Sequence, residues 1–581
     1  AKLSVFTRDM VAVGTMDNVE VFKEHADASS IAAVGRDNGK AVLTIHQWER
    51  GTVRRYGSSL VASTASNLVW SEEGKKIAFV GGEAATAHLC TYALEDQKVQ
   101  VLEEELLALS LELAPNKELY FSNDGKRLFF KARSANRLPK NPSDAVQVWN
   151  AADKWIYTAE QQIMGFTRSP LLMAWEPESN RLLQITDTVL PYAAVLNDHY
   201  ALLWNPKGYE PQASIFPPVD LYLADLSTGA RKLVLERQLG TETNWYASPD
   251  GHRFAYFKEL HWWVYDAVDD SHENVSKGFG ASFGGEKQDW TELSKAYGCA
   301  GWTPDGTSLL LYDAFDLWQV GVDRRKAIRL TKGRESSMMY RVVRAEGNRH
   351  LSAGACKPLV VSLDQRVLLK GSSADHRVNG VYSLDRSLKM DVLYVAEKRI
   401  YDLFGKDDAL LWIAERYDTP PQLLFKKGAL QHKVIAYSNA HARGLERRLE
   451  VVHYTAPSGQ RLRGLLYYPF HYEQGKTYPL ITHIYELQSD KVHHYVMPSK
   501  RDGRGFCVGT YLSKGYFVLL PDIAHEFDSI GQSAVHCVEA ALNEAVKIAP
   551  IDREKVGLIG QSFGGYETAF VVTQSDRFAC A

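Results

Sequence analysis

The chain has 581 residues, 45% of them hydrophobic and 24% charged, with a formal net charge of −3. This length exceeds one ordinary hydrophobic core and predicts at least two domains. The near balance of charge gives no electrostatic reason to expect nucleic acid or an anionic membrane as a partner. No apolar run approaches the roughly 18 residues that a membrane-spanning helix needs, so we expect no membrane span.

The six cysteines lack the CxxC or Cys/His spacing that holds a metal. We expect most of them to be buried small hydrophobic residues, and the sequence leaves a disulfide, and with it the redox compartment, open. His493 and His494 form the only adjacent histidine pair, without a third ligand at a recognisable spacing. The sequence therefore predicts neither a metal nor a cofactor.

A loose motif recurs through the first three quarters of the chain: an Asp or Asn, then a Gly or polar residue, then alternating apolar residues. The Asp/Asn-Gly pair suits the positive φ of a tight hairpin turn, and the alternation after it indicates a half-buried strand. Eight copies follow one another at intervals of 35 to 71 residues, at 35–45, 70–80, 121–131, 175–185, 247–257, 302–312, 362–370 and 404–414.

This spacing favours a β-propeller, whose blades repeat every 40–50 residues or so before loop insertions are added. We predict seven or eight blades in residues 1–444. The alternative is a β-sandwich with a series of unrelated hairpins, and the eight copies of the motif argue against it.

The last quarter follows a different pattern. Nearly continuous apolar strands are predicted at 478–487, 516–524 and 555–560, and apolar residues at helical spacing occupy 531–549. Continuous apolar strands that alternate with helices indicate a parallel sheet covered on both faces. We place the boundary near Gly444 and predict that residues 445–581 are the N-terminal part of an α/β-hydrolase domain.

The segment "GQSFGGY" fits Gly-x-Ser-x-Gly, the pattern of a nucleophile elbow between a strand and a helix. Gly560 and Gly564 would clear space for the sharp turn that projects the Ser562 hydroxyl, and Gly565 would allow further close packing. The alternative is a glycine-rich turn that binds phosphate, but the segment lacks the Lys of a P-loop and the third Gly of a dinucleotide fingerprint.

Residues 552–570, "DREKVGLIGQSFGGYETAF", resemble the nucleophile segment of the prolyl oligopeptidase family of serine peptidases. Residues 476–492, "KTYPLITHIYELQSDKV", resemble the segment that carries the oxyanion-hole tyrosine in dipeptidyl-peptidase-type members. The resemblance implies that a β-propeller precedes the hydrolase domain. It also implies that Ser562 is the nucleophile and that the Phe563 backbone N–H and the Tyr485 hydroxyl form the oxyanion hole. The Phe563 side chain would be a wall of the substrate pocket. For Tyr485, a buried tyrosine at a strand end is the alternative.

Two features depart from this family. Many members have an Arg-Gly-rich loop where this chain has "DIAHEFDSIGQS", residues 522–533, so no residue of that loop receives a role. In this fold the triad Asp and His follow the serine, and neither is present in this sequence. His483, His525 and His536 precede Ser562 and receive no base role from the resemblance. We expect a further C-terminal segment, on the same or a separate chain, that completes the hydrolase domain; a truncated pseudoenzyme is the alternative.

The predicted function is hydrolysis of short peptides through an acyl-enzyme on Ser562, with the propeller restricting access. The alternatives are an esterase or acyl-amino-acid hydrolase on the same elbow, and a catalytically dead propeller that acts as a binding module. A periplasmic or secreted location is favoured over the cytoplasm, although no signal peptide is visible. Exopeptidase against endopeptidase action stays open, because the run Glu103–Glu105 is better read as a solvated face than as a site for a substrate's amino terminus. The oligomeric state also stays open.

Overall fold

The computed structural model describes residues 2–6, 12–27, 29–37, 40–49, 52–59, 64–82, 87–102, 109–114, 118–134, 149–155, 170–211, 218–239, 245–285, 295–324, 326–344, 351–352, 355–356, 358–406, 408–437, 446–497, 506–526 and 528–581. The run Glu103–Glu105 and the predicted boundary at Gly444 lie outside these residues. In the part of the chain that is described, no helix is long and apolar enough to cross a membrane.

The chain divides into two compact units. The first comprises Ala1–Ser308, Gly321–Arg325 and Arg349–Val360, and the second comprises Leu309–Val320, Lys326–Asn348 and Val361–Ala581. The predicted division near Gly444 runs inside the second unit and stays a prediction.

The first unit is built from sheets in which almost all strand pairs are antiparallel. The first pairs β1 (Leu3–Phe6) with β2 (Ala12–Met16), and the next two contain β3 (Val19–Glu24), β4 (Ser30–Asp37), β5 (Lys40–Glu49) and β6 (Thr52–Ser59), and then β7 (Ala65–Trp70), β8 (Lys76–Gly81), β9 (His88–Ala93) and β10 (Lys98–Leu102). A five-stranded sheet follows, with β11 (Leu111–Leu113), β12 (Leu119–Phe121), β13 (Leu128–Ser134), β14 (Leu171–Glu176) and β15 (Arg181–Gln184). The next sheet contains β16 (Tyr192–Val195), β17 (Tyr200–Trp204), β18 (Pro218–Asp225) and β19 (Arg231–Leu239), and the one after it β20 (Trp245–Ala247), β21 (Arg253–Lys258), β22 (His261–Asp266) and β23 (Ser271–Asn274). In most of these sheets each strand pairs with the next along the chain, as in a propeller blade.

Four strands lie where the two units divide the chain: β24 (Cys299–Trp302), β25 (Ser308–Tyr312), β26 (Leu317–Gly321) and β27 (Ala327–Arg329). The short helix α1 (Gly333–Ser336) and β28 (Met338–Val342) follow, and the small strands β29 (Leu351–Ser352) and β30 (Ala355–Cys356) belong to the first unit. The second unit continues with β31 (Val367–Ser373), β32 (Asn379–Leu384) and β33 (Met390–Ala396), which form a sheet with β28, and with the sheet of β34 (Arg399–Lys406), β35 (Ala409–Arg416), β36 (Thr419–Lys427) and β37 (Lys433–Tyr437).

The hairpin turns of these sheets share a hydrogen-bond pattern. In the turn before β21, the Ser248 hydroxyl donates to the Asp250 carboxylate and accepts from the Arg253 backbone N–H at 3.0 Å, while Asp250 accepts from the His252 N–H. The same hydroxyl-to-carboxylate bond joins Ser122 to Asp124, Thr303 to Asp305 and Ser373 to Asp375. Positive φ occurs at Gly74, Gly125, Asn180, Gly251 and Gly306, as the repeated motif predicts.

The last part of the second unit is a five-stranded sheet with helices on it. Its strands lie in the order β38 (Leu449–Thr455), β39 (Arg461–Tyr467), β41 (Phe517–Pro521), β40 (Tyr478–Ile484) and β42 (Ile551–Gly560). Strand β40 pairs parallel with both β41 and β42, whereas β38 and β39 pair antiparallel. The helices are α2 (Val508–Ser513), α3 (Ile530–Ile548) and α4 (Phe563–Gln574), with a 3-10 helix at Ser489–His493.

Both faces of this sheet are buried. Leu466, Leu519 and Leu558 belong to a core that also contains Val538 and Leu542 of α3, while the alternate residues of the same strands, Leu465, Val518 and Ile559, belong to a second core with Leu512 of α2. Burial on both faces explains why these strands are almost continuously apolar.

Candidate active site

Ser562 lies between the end of β42 and the start of α4. Its backbone has φ 57° and ψ −120°, a combination that costs a non-glycine residue conformational energy and that marks functional turns. The side chain is exposed and caps no N–H of α4. Ser562 lies immediately before the first residue of this 12-residue helix, where the helix dipole favours negative charge.

Two glycines make room for this turn. A Cβ on Gly560 would lie 2.0 Å from the Gly564 carbonyl oxygen, and a Cβ on Gly564 would lie 2.4 Å from the Ile484 carbonyl oxygen. Both distances are far shorter than atoms tolerate. A Cβ on Gly565 would meet its nearest neighbour at 3.8 Å, an ordinary contact. Gly560 and Gly564 are thus required by space, and Gly565 is not.

Tyr485 leaves the sheet beside the elbow. It directly follows β40, whose last residue, Ile484, is the parallel partner of Gly560 at the end of β42. The Tyr485 ring borders Gly564, since a Cβ there would lie 3.3 Å from its Cδ2 atom. Tyr485 is 38% exposed, so it is not the buried tyrosine of the alternative interpretation.

Ser562 and Tyr485 both line one cavity of about 610 Å³. Its wall also includes Gln561, Lys491 and His494, and aromatic and aliphatic side chains complete it. Burial lowers the pKa of His494, with a smaller contribution from the nearby Arg399. A small peptide segment would fit a cavity of this size.

The Phe563 side chain packs against two other aromatic rings. Its ring makes an edge contact with His525 at 5.2 Å between centroids and stacks on Tyr566 at 5.8 Å. Among the described residues that line the cavity, Phe563 is absent. Its backbone N–H is the first of α4, which is where an oxyanion donor next to the nucleophile is needed.

His525 is held by a buried carboxylate that the sequence did not reveal. His525 Nε2 lies 2.7 Å from Glu567 Oε1, and both side chains are almost completely buried. The second oxygen, Glu567 Oε2, has no hydrogen-bond partner in the described part of the chain. This pair ties the loop after β41 to the first turns of α4, directly behind the elbow.

No protein-family model matches the chain, and no curated protein matches it. Among solved structures, dipeptidyl peptidase 4 of Porphyromonas gingivalis matches with a TM-score of 0.51 at 13% identity, over 98% of this chain and 77% of that chain. The chain has the fold of dipeptidyl peptidase 4. An acylaminoacyl peptidase of Pyrococcus horikoshii matches with a TM-score of 0.42 at 14% identity, over 94% of this chain and 74% of that chain. The match to dipeptidyl peptidase 4 confirms, for the fold, the resemblance to prolyl oligopeptidase family peptidases.

Within this dipeptidyl peptidase 4 fold, the structure brings together Ser562, Tyr485, Gly560 and Gly564, which the sequence selected. It adds Lys491, His525 and Glu567, among others, which the sequence did not select. His483 lines the same cavity as Ser562 and stacks on Phe506, whereas His536 Nε2 lies 3.0 Å from Gln532 Nε2.

Proposed function

We propose that this chain is the larger part of a serine peptidase of the prolyl oligopeptidase family, which hydrolyses short peptides through an acyl-enzyme on Ser562. The observation that carries the proposal is the position of Ser562: a strained, exposed serine between a buried strand and a helix, in the wall of a cavity that it shares with Tyr485. The sequence motif and the shared fold support the same activity.

In the proposed reaction, Ser562 Oγ attacks the carbonyl carbon of the scissile bond. The carbonyl oxygen becomes an oxyanion that accepts hydrogen bonds from the Phe563 backbone N–H and from the Tyr485 hydroxyl. The loss of one such donor costs on the order of 10²–10³ in rate. The dipole of α4 adds stabilisation at the same point.

A base must take the Ser562 proton and return it to the leaving amine. In this fold the carboxylate and the histidine follow the nucleophile along the chain, so the proposal assigns them to a segment that follows residue 581. His525 is not assigned this role, because its Nε2 is occupied by Glu567 and its ring packs against Phe563.

The antiparallel sheets of residues 1–444 are proposed to form a propeller of seven or eight blades that restricts entry to short or unfolded peptides. Their strand order, in which most strands pair with the next along the chain, supports blades. Unrestricted cleavage of a folded protein substrate would contradict this part of the proposal.

Hydrolysis by the native full-length polypeptide tests the proposal. Wild type and Ser562→Ala are incubated with a defined mixture of synthetic peptides and, separately, with p-nitrophenyl esters, and the products are identified by mass spectrometry. Cleavage of peptides by wild type alone is expected. Turnover of esters without peptides would instead establish an esterase, and folded protein that processes neither would leave the binding module as the better account.

A further inference from the structure

A cationic side chain lies in the wall of the cavity that Ser562 lines. Lys491, in the 3-10 helix Ser489–His493, contributes to this wall together with His483 and His494. Of the described residues that line the cavity, none is an aspartate or a glutamate. The described part of the wall therefore carries hydrogen-bond donors and positive charge and no acidic side chain.

The lysine is oriented by a buried amide. Lys491 Nζ donates to Gln488 Oε1 at 3.0 Å, and the Gln488 side chain is fully buried. At its other end, Gln488 Nε2 donates to the His483 carbonyl oxygen at 2.9 Å. The Gln488 amide oxygen faces a cation and the amide nitrogen faces a carbonyl oxygen. These partners fit one of the two flip orientations of the amide, with the oxygen toward Lys491.

A buried carboxylate anchors this segment. Asp522 Oδ1 accepts from the Gln488 backbone N–H at 2.6 Å and from the Ser489 N–H at 2.7 Å, and Asp522 is 4% exposed. This carboxylate is thus used to fix the start of the 3-10 helix. It holds the backbone from which Gln488 and Lys491 project.

We propose that the cavity binds a carboxylate of the peptide substrate, with Lys491 as its counter-ion and Gln488 as the residue that positions the lysine. The inference rests on the proposed peptidase function, because it names the substrates of that same site. A charge-assisted hydrogen bond from an ammonium group is roughly twice as strong as a neutral one. Burial lowers the pKa of His494, which disfavours its charged form, and Lys491 is the one lysine or arginine among the described residues that line the cavity.

Peptides offer two sources of carboxylate, the α-carboxylate and an acidic side chain. Calorimetric binding to the full-length Ser562→Ala protein, which cannot turn its ligands over, distinguishes them. The probes are four tetrapeptides: Ala-Ala-Ala-Ala as free acid and as amide, and the amides of Ala-Ala-Glu-Ala and Ala-Ala-Gln-Ala. We expect one of the two carboxylates to lower the Kd about tenfold relative to its neutral twin, which corresponds to about 1.4 kcal/mol.

Three further variants assign this preference to Lys491. In the Ser562→Ala background, Lys491→Gln should abolish the preference and Lys491→Arg should largely keep it. Lys514→Met, which removes an exposed lysine outside the cavity wall, should leave it unchanged. If Lys491→Gln does not fold, as judged by circular dichroism, the preference is measured instead in the Lys491→Arg protein at increasing salt concentration. Weakening of the preference by salt would then support its assignment to the cation at position 491.

Equal affinity for acid and amide twins would overturn the inference, and so would a preference that survives in folded Lys491→Gln. Neither result bears on hydrolysis, which wild type would still show or fail to show with the peptide mixture. The failure of this inference and the failure of the proposed function are therefore separate outcomes.

Discussion

The turn before β21 and the elbow at Ser562 both contain a serine, and they use it in opposite ways. In the turn before β21, the Ser248 hydroxyl has the Asp250 carboxylate and the Arg253 carbonyl oxygen as acceptors, and it accepts from the Arg253 N–H. At the elbow, the Ser562 hydroxyl makes no hydrogen bond within the described part of the chain, and the residue carries a positive φ itself.

The glycines of the two turns also differ. Gly251 has φ +75° and supplies the left-handed conformation that lets its neighbours keep ordinary backbone angles. Gly560 and Gly564 have no positive φ and are needed because neighbouring carbonyl oxygens occupy the space of a Cβ. The repeated turn thus satisfies its polar groups locally, whereas the elbow places its strain on the serine and leaves the hydroxyl available for chemistry.

The largest effect is expected for Gly560→Ala. Its Cβ would collide with the Gly564 backbone, which cannot move without displacing α4, so we expect a loss of about 3 kcal/mol in the free energy of unfolding. Gly125→Ala, in the equivalent turn, has a positive φ and would place its Cβ 3.7 Å from the nearest atom, so it should cost only about 1–2 kcal/mol, the usual penalty of a left-handed alanine. Urea denaturation of both variants measures the difference, and equal losses would contradict the distinction between space and conformation.

Next in size is the buried pair behind the elbow. Glu567→Leu should destabilise the fold by about 3 kcal/mol, because it leaves His525 buried without its acceptor. The double variant His525→Phe/Glu567→Leu should recover most of this loss, since an apolar pair needs no hydrogen bonds. A double variant that is as unstable as the sum of the two single variants would show that the pair is not coupled.

A smaller difference separates the two serines. Ser248→Ala should cost about 1 kcal/mol of stability, because it leaves the turn's N–H and carboxylate with one partner fewer. Ser562→Ala should change stability by less than about 0.5 kcal/mol, as expected for an exposed side chain without partners. Thermal and urea denaturation of the two variants provide the comparison, and the idea of an unused hydroxyl would be wrong if Ser562→Ala were the more damaging change.

The smallest effect concerns a turn that also contacts the five-stranded sheet and the 3-10 helix of the second unit. In the turn at 373–378, the Asp375 carbonyl accepts from Arg463 at 2.8 Å, and the Arg377 carbonyl lies 2.6 Å from His493 Nε2. Burial lowers the pKa of His493. The unfolded chain binds the His493 proton more tightly than the folded chain does. The contribution of neutral His493 to the free energy of unfolding should therefore be present above pH 6.5 and should be lost as the pH falls below that value.

His493→Gln keeps a donor for the Arg377 carbonyl and removes this titration. Its unfolding free energy should therefore depend less on pH between 7 and 5, with a difference of about 1.4 kcal/mol for each unit by which the pKa is lowered. Parallel pH profiles for wild type and variant would show that His493 is not responsible.

Most of the local structure could be predicted from the sequence, because its causes are local. The turn at Gly251 and the apolar strand that follows it lie within one short segment, and the elbow's glycines lie within five residues of each other. The helix that begins at Phe563 follows from the same motif. These features need no knowledge of distant parts of the chain.

What sequence reasoning missed depends on contacts between distant segments. His525 and Glu567 are 42 residues apart, and no spacing pattern joins them. The turn at 373–378 uses His376 in place of a glycine, with φ 58°, so a search for Asp-Gly overlooked it. Lys491 reaches the cavity because Asp522 anchors the backbone before it, a relation that only the folded sheet creates.

The central claim, that Ser562 is an activated nucleophile, is tested most directly by labelling with a fluorophosphonate. Such probes react with a serine that has a base poised beside it. The native full-length polypeptide is labelled next to Ser562→Ala and Ser248→Ala, and the adduct is located by mass spectrometry. The account predicts one adduct, on the peptide that contains Ser562, which Ser562→Ala loses and Ser248→Ala keeps. Folded wild-type protein that acquires no adduct, or acquires it on another serine, would contradict the account.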